Sequence, residues 1–140
     1  MRYLIIPIAL LFLSACATNM QSYSRIDQSN KTITVPAGAS GLKGKLKKVL
    51  SDNGWKMMIY RGPQVVEGSS GKNTHLQKYD TFNSRYKLAV ESVRVDLCMT
   101  KYDISVIDNN DGSEAFALAG YGCEAVAVKA FTKAIQGAQP

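Results

Sequence analysis

Side chains able to do covalent or acid–base chemistry are few in this chain of 140 residues, and their spacing disposes of most catalytic readings. Three cysteines, Cys16, Cys98 and Cys123, stand with a single histidine, His75. A structural zinc needs four ligands at short spacings, and no CxxC or HxxxH occurs, so no metal is expected. Neither Gly-x-Ser-x-Gly nor HExxH is present, which removes two hydrolase signatures. Gly71-Lys72 ends like a phosphate-binding loop, but Val66 occupies the place of the first essential glycine and no Ser or Thr follows Lys72. Asp108-Asn109-Asn110-Asp111-Gly112 imitates a calcium loop, yet alignment on Gly112 puts Ile107 at the first ligand and Leu118 at the last. Asp108 and Asp111 are a carboxylate pair that a hairpin turn wants in any case. With His75 read as a loop histidine, the sequence predicts a protein that is not an enzyme and takes no cofactor.

The informative cysteine is Cys16, because of what precedes it. Arg2 is a positive n-region, residues 3–13 an apolar h-region and Ser14-Ala15 a small-residue approach to a cleavage site, so residues 1–15 read as a signal peptide. The apolar run is too short to span a membrane as a helix, and no longer run follows it. A secretory leader with an incidental Cys is the alternative at this point. Without the leader roughly 125 residues remain, one domain with enough chain for a core. The formal charge of +6 loses only Arg2 with the leader, and a basic balance favours anionic lipid, acidic polysaccharide or nucleic acid. The aromatic residues do not interleave with the lysines as a base-stacking platform requires, so nucleic acid is not expected.

Positioning falls to the elements that follow. Residues 16–30 are polar, without helix or strand period, and read as a flexible tether to a single domain over 31–136, with 137–140 a fraying tail. Ile33 and Val35 alternate in a short strand over 31–35. Ser40 suits an N-cap, and Leu42, Leu46, Val49 and Leu50 form one face of a helix closed by Asn53-Gly54. Gly41 and Gly44 weaken that helix by about 1 kcal/mol each relative to Ala. Its Lys43, Lys47 and Lys48 make either a solvated face or a basic patch for an anionic partner. Residues 55–60 form the next strand, giving a βαβ unit with right-handed crossover. Residues 63–83 make a connection long enough to be a working loop or a disordered one. Arg61, Gln64, Lys72, Asn73 and His75 give that region polar variety, and they are the candidate partner contacts.

Residues 84–97 carry the longest strand pattern. Tyr86, Leu88 and Val90 share one phase and Val93, Val95 and Leu97 the other, which predicts a bulge near Glu91-Ser92. Tyr102, Ile104 and Val106 alternate in the next strand, a turn over 108–113 joins it to a strand over 114–119, and the glycines of 120–122 break that strand. A helix over 124–135 places Val128, Phe131 and Ile135 on one stripe. This order predicts an α+β two-layer sandwich: β-α-β, three antiparallel strands and a C-terminal helix, both helices on one face of a mixed sheet.

Leu13-Ser14-Ala15-Cys16 resembles the lipobox of bacterial lipoproteins. The resemblance implies that Cys16 is lipidated and becomes the first mature residue. Ala17 is not the Asp that favours inner-membrane retention, which implies an outer-membrane anchor with the domain facing the periplasm. With Cys16 so used, Cys98 and Cys123 remain as an even pair in an oxidising compartment, and a disulfide between them is expected over two free thiols. Tyr102 to Asp108, leading to Asp111-Gly112-Ser113-Glu114, together with Asn53-Gly54-Trp55 and Arg85-Tyr86-Lys87-Leu88, resembles a further family. It is the domain shared by the amino-terminal part of TolB and the outer-membrane lipoproteins that activate penicillin-binding proteins. That likeness implies a binding domain docking a periplasmic or outer-membrane protein by a sheet edge and a loop. The residues also leave open a peptidoglycan or anionic-polysaccharide module acting through the lysines and the 55–61 region.

Overall fold

The computed structural model describes residues 18–60, 64–66, 76–78 and 83–137. In order these form β1 (Thr18–Ser22), β2 (Thr32–Pro36), α1 (Gly41–Asp52), β3 (Lys56–Tyr60), β4 (Gln64–Val66) and β5 (Leu76–Lys78). After them come β6 (Tyr86–Arg94), β7 (Met99–Asp108), β8 (Glu114–Cys123) and α2 (Glu124–Ile135). The chain is α+β, with a mixed six-stranded sheet ordered β1-β8-β7-β6-β2-β3, two helices and a β4-β5 antiparallel pair. β2 runs parallel to both β3 and β6, while β6, β7, β8 and β1 are antiparallel neighbours.

Alternation makes the core. Ile33 and Val35, Tyr86 and Leu88, Tyr102, Ile104 and Val106, and Phe116 and Leu118 join Leu42, Leu46 and Leu50 of α1 and Phe131 and Ile135 of α2 in one buried cluster. Phe116 and Phe131 meet edge to face with ring centroids 5.7 Å apart, tying the sheet to α2. Trp55 and Tyr86 repeat that geometry at 5.7 Å beside α1.

The segment expected to be a flexible tether is tied down instead. Thr18 to Ser22 pair with β8, Thr18 opposite Gly120 and Ser22 opposite Phe116. Tyr23 and Ser24 donate their N–H groups to the Ala115 carbonyl, Asp27 donates to the Tyr86 hydroxyl, and Ile26 is buried. A polar edge strand needs only backbone ladder bonds, which leave no periodicity to read.

The expected break at 120–122 is likewise absent, since β8 continues to Cys123. Gly120 lies in one row between Tyr102 on β7 and Thr18 on β1. Tyr102 reaches along that row, and its hydroxyl lies 2.7 Å from the Thr18 Oγ1. The bulge expected near Glu91-Ser92 is replaced by an unbroken β6–β7 register from Tyr86 opposite Asp108 to Arg94 opposite Thr100. The irregularity falls between Val106 and Ile107, against β8. The apolar phase changes because Val93 and Val95 leave the core for solvent.

Gly44 has a positional reason that helix propensity hides. A Cβ built there would lie 1.9 Å from the Ala39 carbonyl oxygen, so the turn before α1 closes on a bare backbone. Propensity alone would make Gly44→Ala stabilising by about 1 kcal/mol. Overpacking reverses the sign, and a net loss of about 1–3 kcal/mol is expected in chemical denaturation. A raised midpoint would contradict the contact.

Candidate binding face

The residues of the sheet that alternate with the core set form a second face, and the strand registers lay it out in rows. Val93, Lys101 and Tyr121 make one row, and Glu91, Asp103, Ala119 and Asn19 the next. Ala89, Ser105, Ala117 and Gln21 make the third. The small Ala119 lies on the floor of a depression in this face. A cleft of about 810 Å³ is lined by Asn19, Glu91, Lys101, Asp103, Ala119 and Tyr121, among others.

The charge pattern of this cleft is unusual for a resting surface. Glu91 and Asp103 stand directly opposite each other on neighbouring strands, an arrangement that costs stability through like-charge repulsion. Among the described residues neither has an ion-pair partner, and Lys101 sits one row away. A cationic or donor-rich group from outside would relieve the repulsion, and Tyr121 offers a half-exposed ring at the rim. No cluster of metal-ligating side chains occurs among the described residues.

The Asp108–Asp111 pair lies at the other end of β7 and serves the turn. The Asp108 Oδ2 accepts from the Arg85 guanidinium at 2.6 Å, its Oδ1 accepts from the Asn110 N–H at 2.9 Å, and Gly112 donates to its carbonyl at 2.8 Å. Hydrogen bonds from the Ser113 hydroxyl and N–H hold the Asp111 carboxyl below the usual carboxylate range, and those from Ser29 do the same for Asp27. Each such group contributes stability above the unfolded carboxylate pKa that is lost as pH falls through the depressed folded value.

The residues expected from sequence to form the site do not converge. Lys47 donates to the Gly38 carbonyl and Lys48 pairs with Asp52 at 2.9 Å on α1, while Lys43 is half-buried. None of the three lines the cleft. Gln64 opens β4, opposite Lys78. The leader, Cys16, Arg61, Lys72, Asn73 and His75 lie outside the described residues. Cys98 is exposed and unbridged, in the bend before β7, and Met99, not Cys98, stands opposite Cys123. The two residues of the expected bridge thus lie one step out of register at the same end of the sheet. The cleft residues were missed because their pattern emerges only across strands. The polar alternation of Lys101, Asp103 and Ser105 was the one local signal.

Neither a protein-family model nor a curated protein matches the chain. Solved structures do. A PelC dodecamer from Paraburkholderia phytofirmans aligns with a TM-score of 0.52 at 13% identity, covering 88% of this chain and 99% of that one. A leucine-to-methionine variant of that PelC, also a dodecamer, aligns at 0.48 and 14% identity, covering 88% and 96%. At such identities the likeness is one of fold alone.

Proposed function

We propose that this chain is a non-enzymatic lipoprotein of the bacterial outer membrane, anchored through Cys16, whose periplasmic domain binds a protein partner on the cleft-bearing face of its sheet. In this reading the domain is a two-layer sandwich with both helices on the opposite face. The observation that carries it is the row of Glu91, Asp103 and Ala119, where two unrelieved carboxylates border a small-residue depression. The opposed carboxylates destabilise the free sheet, and a cationic group from a partner would offset that cost. Lys47 and Lys48 are engaged within α1 and its preceding turn, which favours a protein partner over an anionic polysaccharide.

Ala119→Arg tests the reading, since it fills the depression from an exposed position. The thermal midpoint should stay within the small range of surface substitutions, about 0.5 kcal/mol, while capture of the native partner is lost. Undiminished capture would remove the cleft from the account. The same export reading predicts that Cys98 and Cys123 close a bridge in periplasmic material, since their positions differ by one register step. Thiol labelling of denatured, unreduced protein should then find neither cysteine reactive, and two labelled thiols would exclude the bridge.

A further inference from the structure

Four large apolar side chains crowd one end of the sheet without cover: Val93, Val95 and Leu97 around the β6–β7 connection, and Tyr121 on β8. Leu97 is 92% exposed, Val93 65% and Val95 56%. The wall of the cleft ends here, but the connection lies beyond it and has no role in the binding row.

The described chain begins at the same end, at Thr18. β1 runs antiparallel to β8 with Thr18 opposite Gly120, so its N-terminal end points the way β8 and the β6–β7 connection point. Cys16 precedes Thr18 by two residues, a span of at most about 7 Å. Ser92, Tyr102, Gly120 and Thr18 share a row, and Val95 is three residues beyond that row, about 10 Å at strand rise. Two strands separate β1 from β6, so the anchor and the exposed tip lie within about 15 Å laterally. A lipid on Cys16 is therefore within reach of the end of the molecule that carries Val95 and Leu97.

We infer that the β6–β7 tip dips into the membrane interface beside the lipid anchor and seats the domain against the bilayer, its cleft facing along the surface. The occupant is a lipid surface, because the only covering that the anchor guarantees at this end is membrane. Isolated aliphatic side chains of this exposure are unfavourable in water and favourable at an acyl boundary. This rests on the lipidation reading above, and the short distance from Cys16 to β1 is what turns an anchor into an orientation.

The test supplies the anchor chemically. The mature chain carrying Cys98→Ser and Cys123→Ser keeps Cys16 as its only thiol, which is coupled to a maleimide phospholipid in phosphatidylethanolamine/phosphatidylglycerol vesicles. Leu97→Trp is then compared with Lys48→Trp on α1, each against the Trp55 background, using lipids brominated in the acyl chain. Seating predicts a blue-shifted emission and several-fold stronger quenching for Leu97→Trp than for Lys48→Trp, and Val95→Trp should behave like Leu97→Trp. Equal, weak quenching at all three positions overturns the inference. Whether cells lipidate Cys16 is decided separately by fractionation, so failure of either claim leaves the other judged on its own result.

Discussion

Phe131→Ala is expected to lower the stability of the domain by about 3–5 kcal/mol, the range for deleting a fully buried aromatic ring. Phe131 is wholly buried, and its ring meets Phe116 edge to face at 5.7 Å. α2 touches β8, α1, β1 and β7, so the cavity opens where the helix joins three of the six strands and the other helix. Against a total stability of about 5–15 kcal/mol, the loss removes about a fifth or more of the margin and lowers the midpoint by roughly 10–20 °C. The partner substitution Phe116→Ala should act non-additively with it, by about 0.5–1.5 kcal/mol, because each removes the same ring contact. A Phe131→Ala loss below about 1 kcal/mol in calorimetry would show that the two layers do not depend on this contact.

Cys16→Ser carries the largest expected cellular effect. On the proposed reading the sulfur holds acyl chains, each buried methylene contributing about 0.8 kcal/mol, and two or more chains make attachment effectively stable. Exported with an ordinary cleavable leader, the Ser variant should move from the washed membrane fraction to the periplasmic fraction. The β6–β7 tip alone gives at most weak, reversible contact. Leader-cleaved Ser variant that still sediments quantitatively with membrane would refute lipid anchoring.

Much of the domain was legible in local pattern. The stripes of α1 and α2, the alternation through Tyr102, Ile104 and Val106, and the turn at Asp108 to Ser113 each report a single period or a turn chemistry. What stayed hidden was relational. Thr18 to Ser22 carry no strand signal, because an edge strand bonded through its backbone to β8 asks little of its side chains. Gly120 looks like a strand breaker, yet it is paired on both sides, with Tyr102 and with Thr18. The second phase of β6, at Val93, Val95 and Leu97, imitated a bulge because period alone does not distinguish a changed face from a changed register. The cleft follows the same rule, with Glu91, Asp103, Ala119 and Asn19 drawn from four strands and separated in sequence by a dozen residues or more.

The measurement that bears most directly on the binding face is photocrosslinking in living cells from single positions. A photoreactive residue at Glu91 or Ala119 is compared with one at Lys129, exposed on α2. The account predicts that Glu91 and Ala119 give one adduct of the same partner mass, suppressed in the Ala119→Arg background for Glu91, while Lys129 gives none. An adduct from Lys129 with nothing from the two cleft positions would place the partner on the helices and contradict the account.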